Sequence, residues 1–121
     1  MGNPRIEMLA RFGPYEGGRG DGEFHNPEGL ASDSRGHIYV ADETNHRVQK
    51  IDPDNGQMLW KIGAIGPDGR PRAGTGPGEF NNFRSVCIDH DDNLYVGDSR
   101  NCRVQSFDSA GRFRFMFGSQ G

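Results

Sequence analysis

The most constraining feature of this sequence is a long segment that the chain contains twice. The string EFHNPEGLASDSRGHIYVADETNHRVQKID occupies residues 23–52, and EFNNFRSVCIDHDDNLYVGDSRNCRVQSFD occupies residues 79–108. Each copy is followed by an apolar stretch that ends in glycine, and a similar stretch, EMLARFG, precedes the first copy. Self-similarity at a fixed period predicts a repeat architecture built from one structural unit. The matched pairs, each 56 residues apart, include Asp33/Asp89, Tyr39/Tyr95, Asp42/Asp98, Arg47/Arg103 and Gln49/Gln105.

Each copy is expected to form four short strands separated by turns. Between the apolar runs of the first copy lie the turn sequences DSRG, DETN and DPDNG, and the Asn-Gly pair in the last one is a strong hairpin signal. Turns at this spacing, in a chain with 19 glycines and 7 prolines, predict an all-β fold with no helix longer than one turn. In the first copy the predicted strands are Gly29–Ser32, His37–Ala41, Arg47–Ile51 and Gln57–Ile62.

The second strand of each copy does not alternate between apolar and polar residues. IYVA in the first copy and LYVG in the second are apolar on both sides of the strand. A sheet of this kind has to be covered on both of its faces. Radial stacking of four-stranded sheets around a channel is one way to achieve this.

The repeated segment resembles the NHL repeat, whose units form the blades of a β-propeller. The second copy departs from the repeat pattern at Phe83, Ser85, Gly97 and Cys102, where the first copy has Pro27, Gly29, Ala41 and His46. The resemblance implies a first blade in residues 14–63 and a second in 64–118, with a strand-like segment in 1–13 and a tail in 119–121. The first copy matches the pattern at Phe24, Pro27, Gly29, Asp33, Tyr39, Asp42, Asn45, His46, Arg47 and Val48.

The charged residues of the motif flank the turn between the second and third strands. We expect Asp42 to pair with Arg47, and Asp98 with Arg103, because a carboxylate and a guanidinium across a hairpin can hold its turn. The tyrosines at the other matched position, Tyr39 and Tyr95, are expected to pack between blades with their hydroxyls hydrogen-bonded.

Neither copy contains a recognisable catalytic or metal-binding cluster. His46 is replaced in the second copy by Cys102, so a structural role is expected for it, and no cluster of zinc ligands is present. We therefore predict no catalytic residue, no metal and no cofactor. Cys87 and Cys102 are too few for a disulfide framework, and reduced thiols are expected.

The connections between blades form the predicted binding surface, because binding residues concentrate on loops held by a rigid scaffold. In a propeller, the connection that leads into each blade lies on the same face as the turn between the second and third strands. This surface would contain Pro14–Gly22 and Ala64–Gly78. Its candidate binding residues are Arg19, Arg70, Arg72 and Arg100, with solvated turn residues as the simpler alternative.

Charge and hydropathy argue against several classes of protein. The chain has 14 basic and 17 acidic side chains, so nucleic-acid binding is disfavoured, although a local basic face around the loop arginines remains open. No apolar run reaches the length of about 18 residues that a membrane helix needs. The start of the sequence has no signal-peptide pattern, which favours a cytoplasmic location.

Two blades do not close a ring, since propellers use about four to eight blades. Either several copies assemble head to tail, or the chain is part of a longer array. We favour a homo-oligomer, and a trimer with six blades over a tetramer with eight. The predicted function is a non-enzymatic, self-assembling scaffold that binds a protein or a small ligand on the loop surface.

Two other functions stay open at this point. The sequence is also similar to peptidyl-hydroxyglycine amidating lyases, a family whose catalysis depends on metal-binding histidines. The four histidines, His25, His37, His46 and His90, cannot be matched to that set. RNA or protein binding by an NHL domain is the other alternative.

Overall fold

The computed structural model describes residues 22, 24, 27–81 and 85–118, which form two antiparallel sheets. The predicted N-terminal segment 1–13 and the tail 119–121 lie outside the described residues. The first sheet has the order β1 (Pro27–Ser32), β2 (Ile38–Asp42), β3 (Arg47–Ile51), β4 (Met58–Ile65) and β5 (Pro71–Arg72). The second has the order β6 (Ser85–Ile88), β7 (Leu94–Asp98), β8 (Arg103–Phe107) and β9 (Phe113–Phe117).

The prediction of an all-β fold is confirmed for the described residues. Their one helical element is a 3-10 turn at Ser99–Asn101, between β7 and β8. Strands β1 to β4 begin and end within two residues of the predicted bounds, apart from the far end of β4, and β5 was not predicted. None of the described residues form a helix that is both long enough and apolar enough to cross a membrane.

The two sheets repeat the same hairpins, and the turn residues explain why. Aspartates at the start of the turns accept a hydrogen bond from the backbone N–H two residues later, as at Asp33 (3.0 Å from Arg35) and Asp89 (2.9 Å from Asp91). Gly36 then adopts a φ of 85°, which glycine reaches without the steric cost of a side chain. Asp92 adopts a φ of 64° at the matched position, so the second copy keeps the turn without a glycine.

The first sheet is larger than predicted. β4 continues two residues past the expected unit boundary at Gly63, and Ala64 and Ile65 pair with Arg72 and Pro71 of β5. The connection Ala64–Gly78, predicted as a loop, therefore begins as a hairpin. The reason is that β4 is the edge of the four-stranded sheet and offers its free backbone groups to the returning chain.

The main core lies between the two sheets. Tyr39, Ala41 and Val48 of the first sheet are fully buried against the second, with Trp60 and Ile62 packed at the margin. The second sheet contributes Leu94, Val96 and Phe107 from its strands, Phe80 from the connection, and Val86 and Ile88 at the margin. A smaller cluster on the other side of the first sheet contains Phe24, Ile38, Val40 and Ile51, with Met58 against it. Apolar side chains on both sides of β2 thus contribute to two different cores.

Polar contacts between turns also join the sheets. The backbone N–H of Ser34 donates to Asp92 Oδ1 at 2.9 Å, and the Ser34 hydroxyl donates to Asp92 Oδ2. Farther out, Lys50 Nζ and Trp60 Nε1 both donate to the carbonyl oxygen of Ser109, at 2.8 and 3.1 Å. These bonds fix one sheet relative to the other at two separate points.

Candidate functional site

Arg103, at the start of β8, holds the connection that leads into its own sheet. Its Nε donates to Asp98 Oδ2 at 2.9 Å, and its two terminal nitrogens donate to the carbonyl oxygens of Thr75, Gly76 and Glu79 at 2.6, 2.9 and 3.0 Å. The Asp98 side chain is fully buried. Because a guanidinium presents five donors in a fixed plane, one side chain can hold several carbonyls at once.

Two amide side chains complete this arrangement. Gln105 accepts from the backbone N–H of Gly78 at 2.8 Å and donates to the carbonyl of Glu79 at 2.8 Å. Asn101 donates to Asp98 Oδ2 and to the carbonyl of Gly74, both at 2.9 Å. We call these four side chains, which bind the segment 74–81, the connection clamp: Asp98, Asn101, Arg103 and Gln105. It fixes the backbone of one part of the predicted binding surface.

The first sheet contains the matched polar residues in a similar arrangement. Arg47 Nε lies 4.0 Å from Asp42 Oδ2, and Asn45 donates to the same oxygen at 2.8 Å. Gln49 accepts from the backbone N–H of Gly22 at 2.8 Å, as Gln105 accepts from Gly78. The ion pair in the first sheet is longer than the 2.9 Å pair in the second. In both sheets, therefore, the aspartate and arginine of the motif face each other across a hairpin, and the glutamine binds the backbone of the segment that leads into the sheet.

The matched tyrosines bind matched aspartates. Tyr39 donates from its hydroxyl to Asp33 Oδ2 at 2.9 Å, and Tyr95 donates to Asp89 Oδ2 at 3.1 Å. Tyr39 is fully buried between the sheets, and burial, reinforced by the Asp33 carboxylate, raises its pKa. Burial also works against ionisation of Asp33, but the bond from Tyr39 and the backbone N–H groups outweigh it and lower the Asp33 pKa. Tyr95 is only partly buried, since it lies on the outer side of the second sheet.

The predicted loop arginines are only partly brought together. Arg72, on β5, contacts Glu79 at 3.4 Å and donates to the carbonyl of Ala73 at 2.9 Å. Arg70 is exposed in the β4–β5 turn, and Arg100 is exposed in the 3-10 turn, whose backbone N–H at Arg100 donates to the carbonyl of Asn81 at 3.3 Å. Arg19 lies outside the described residues. The surface thus mixes cations with carboxylates.

A shallow groove of about 110 Å³ opens beside β4 and β5. The sequence did not predict it, because it depends on the unexpected pairing of β5. Its lining is mainly apolar with two basic residues, and Ile65 at its edge is 49% exposed. An apolar floor with a cationic margin suits a ligand that combines a hydrophobic group with an anion. The lining residues are Arg47, Lys61, Ile62, Gly63, Ala64, Ile65 and Pro71.

The described histidines and the two cysteines lie in separate turns and strands, and His25 lies outside the described residues. His46 and Cys102, at matched positions, both adopt positive φ angles (51° and 56°) just before β3 and β8. Burial lowers the pKa of His46. Cys87 and Cys102 are exposed free thiols. Within the described residues, no group of three or more histidine, cysteine, aspartate or glutamate side chains is arranged to hold a metal ion.

The repeated sheets, their clamped connections and the sequence motif point to one family. The NHL repeat matches residues 24–51. Residues 24–51 of this chain are an NHL repeat. It is 32% identical over 106 residues to NHL repeat-containing protein 3 of Mus musculus, an alignment that covers 85% of this chain and 28% of that protein. The NHL chain therefore spans little more than a quarter of this relative.

Solved structures show the same fold at low sequence identity. The structure of U3-55K superposes with a TM-score of 0.64 at 19% identity, covering 84% of the NHL chain and 29% of that chain. Virginiamycin B lyase from Staphylococcus aureus, in an inactive H270A form with quinupristin, superposes with a TM-score of 0.55 at 16% identity. This superposition covers 76% of the NHL chain and 26% of the lyase chain. At these identities the likeness concerns the fold.

Proposed function

We propose that this NHL chain is a non-catalytic propeller module that binds a protein partner through its loop face. The loop face comprises the β2–β3 turn, the 3-10 turn and the connection 64–81. The connection clamp carries this proposal, because it uses the polar residues of the motif to present the loop face as a fixed surface. A surface that is ordered before binding avoids the entropic cost of ordering it on contact.

The groove beside β4 and β5 indicates what the partner would present. Ile62, Ala64 and Pro71 offer an apolar floor, and exposed Lys61 adds positive charge, whereas buried Asp42 offsets the charge of Arg47. A short peptide segment with an apolar side chain next to a carboxylate matches both features. Exposed Arg70, in the adjoining β4–β5 turn, adds a further cation for such a segment.

Nucleic acid is the less favoured partner on the same surface. Glu79 contacts Arg72 at 3.4 Å, which offsets one of the three described loop arginines. Proteins that bind the phosphate backbone usually present a basic patch, whereas this chain has a net charge of −3. The lyase alternative gains nothing specific either, since His37, His46 and His90 lie in three different turns.

Selection from a library of displayed random peptides tests the proposal. We expect enriched peptides to share an apolar residue beside Asp or Glu, and Ile65→Ser and Arg70→Glu to weaken their binding. Leu59→Ser is the matched control, because Leu59 is similarly exposed (46%) on the same strand but lies toward its opposite end. Enriched peptides that bind both serine variants equally, or a selection that yields no shared pattern, would contradict a binding site in this groove.

A further inference from the structure

The side of the second sheet that faces away from the first is apolar and open. Phe115 is 40% exposed and Phe117 is 56% exposed, and the two rings stack with centroids 6.3 Å apart. Tyr95 lies beside them, with its ring 6.4 Å from that of Phe115. Exposed aromatic clusters on a rigid sheet are typical of interaction sites. We call this surface the C-terminal face: Cys87, Tyr95, Val104, Ser106, Phe115 and Phe117.

The corresponding face of the first sheet is buried, and its contacts show how a face of this kind is covered. Tyr39, Val48, Trp60 and Ile62 occupy the positions that Tyr95, Val104, Phe115 and Phe117 occupy in the second sheet. In the first sheet these side chains pack against the second sheet. Their partners are Phe80 from the connection and Leu94, Val96 and Phe107 from the second sheet.

A cation strengthens this internal interface at its outer edge. Lys50 Nζ lies 5.3 Å from the centre of the Tyr39 ring and donates to the Ser109 carbonyl at 2.8 Å. The Trp60 indole donates to the same carbonyl. The first sheet therefore holds the β8–β9 turn of the second sheet with one cation and one aromatic ring.

The C-terminal face also has a cation beside an aromatic ring, but here the cation lies on the fourth strand of the sheet instead of the third. Ser106 replaces Lys50, and Phe115 replaces Trp60. Arg114, which lies at the irregularity between β8 and β9, places its guanidinium 4.9 Å from the centre of the Phe115 ring. It also donates to the Ser106 hydroxyl at 3.0 Å. Arg114 itself is exposed, so the cation is available to a turn from another sheet.

The first sheet of a second copy has the surface that this face would bind. Phe24, Ile38, Val40 and Ile51 occupy the positions of Phe80, Leu94, Val96 and Phe107. Its β3–β4 turn, DPDNG, contains two aspartates where the β8–β9 turn, DSAG, contains one. The additional carboxylate, on exposed Asp54, complements the positive charge of Arg114.

We propose that the C-terminal face binds the first sheet of a second copy of this chain, head to tail, with Arg114 against the Asp52–Gly56 turn. Contacts between unlike faces repeat until the ring closes. Three copies would supply the six blades of a closed propeller. Ile38, Val40 and Ile51 are already buried within the single chain, so this face has to be uncovered before the second copy can bind. We therefore expect assembly to be slower than simple diffusional encounter.

Light scattering coupled to size exclusion measures the assembly directly. A mass of about three times 13.4 kDa supports the proposal, and four times that mass supports the same contact in a larger ring. Phe117→Ser should give the monomer, whereas Arg70→Ser, which changes an exposed side chain in the β4–β5 turn and outside both proposed contact surfaces, should leave the mass unchanged. A monomer of the unaltered chain would overturn the proposal. A dimer that persists in Phe117→Ser would overturn it too, because its contact would not use the C-terminal face.

Charge reversal tests the residue contact. Arg114→Glu should weaken association by at least about tenfold, because it places like charges together at the interface. Arg112→Glu makes the same change at a side chain that is 81% exposed, and it should have little effect. Combining Arg114→Glu with Asp54→Arg should restore assembly. An Arg114→Glu variant that folds and assembles like the unaltered chain would refute the proposed pairing.

The two free cysteines give a second readout that does not depend on a variant. Cys87 is the cross-strand partner of Tyr95 and lies on the C-terminal face, whereas Cys102 lies at the β7–β8 turn. As the protein concentration rises, alkylation of Cys87 should slow relative to alkylation of Cys102. An unchanged ratio of the two alkylation rates across the concentration range in which the mass increases would contradict the proposal.

Discussion

Removing the Arg103 side chain should loosen the connection between the two sheets and destabilise the whole fold. Arg103→Ala deletes one bond to buried Asp98 and three bonds to backbone carbonyls. Asp98 keeps its bonds from Asn81 and Asn101, but loses the neighbouring positive charge. Removing one partner of a buried ion pair costs about 3–5 kcal/mol. For a chain of this length, about 4 °C of melting temperature corresponds to each kcal/mol, so we expect a decrease of about 12–20 °C.

Arg103→Lys and Arg112→Ala are the informative comparisons. Lysine keeps the charge but lacks the planar fork, so about 1–2 kcal/mol should be lost. Arg112 forms an equally short 2.9 Å pair with Asp108, but its side chain is 81% exposed. Exposed pairs contribute less than about 1 kcal/mol, so Arg112→Ala should change the melting temperature by only a few degrees.

Thermal unfolding followed by circular dichroism measures the global effect, and amide hydrogen exchange locates it. The N–H of Gly74 donates to a carbonyl within the connection, and the N–H groups of Gly78 and Asn81 donate to side chains of the clamp. In Arg103→Ala these three N–H groups should exchange faster than those of β2. The reasoning fails if Arg103→Ala melts within a few degrees of Arg112→Ala. It also fails if the connection keeps its full protection from exchange.

Three further predictions concern the first sheet, the turns and acid stability. A double-mutant cycle of Asp42→Ala and Arg47→Ala should give a coupling energy of about 1–3 kcal/mol. This coupling should be smaller than that between Asp98 and Arg103, because the distance between Asp42 and Arg47 is longer. A coupling energy of zero would refute the pairing. In urea unfolding, Gly111→Ala should destabilise the protein more than Gly69→Ala. Both glycines have positive φ, but a Cβ at Gly111 would lie 3.0 Å from the Trp60 ring, whereas a Cβ at Gly69 would meet no atom within 4 Å. Equal losses of stability would show that Trp60 does not constrain this turn. The backbone N–H of Asn93 lowers the pKa of Asp89 below 3.8, and the backbone N–H of Arg112 does the same for Asp108. The stability that these carboxylates contribute is therefore complete above about pH 4 and is lost as the pH falls through the lowered pKa values. A urea midpoint that stays constant from pH 5 to pH 2 would contradict this last prediction.

Local sequence signals were sufficient for the strands and turns because each of them acts over a few residues. Alternation of β-branched runs with Asp-, Asn- and Gly-rich turns located β2, β3, β7 and β8, and the repeat supplied an independent check on each one. Strand β5 has no such signal. Pro71 and Arg72 pair only because β4 leaves an open edge beside them, and that opportunity arises after the sheet has formed.

The candidate site was harder to predict because its contacts join distant parts of the chain. The sequence placed Asp98 and Arg103 at one hairpin, but the three carbonyls that Arg103 binds lie 24–28 residues earlier. No local pattern identifies a carbonyl as an acceptor. The groove likewise needed β5 to be in place, and no sequence pattern showed that Ile65 would be exposed beside it.

The connection clamp has a consequence for how chains of this type can gain or lose sheets by gene duplication. Arg103 and Gln105 secure the segment that leads into their own sheet, and Gln49 does the same for the first sheet through Gly22. A duplicated segment that began at β6 would therefore leave Arg103 without its carbonyls. A segment that began near Gly74 and ended at Gly118 would contain both the clamp and the backbone that it holds. The inherited cassette should thus start within the connection, ahead of the first strand of its sheet.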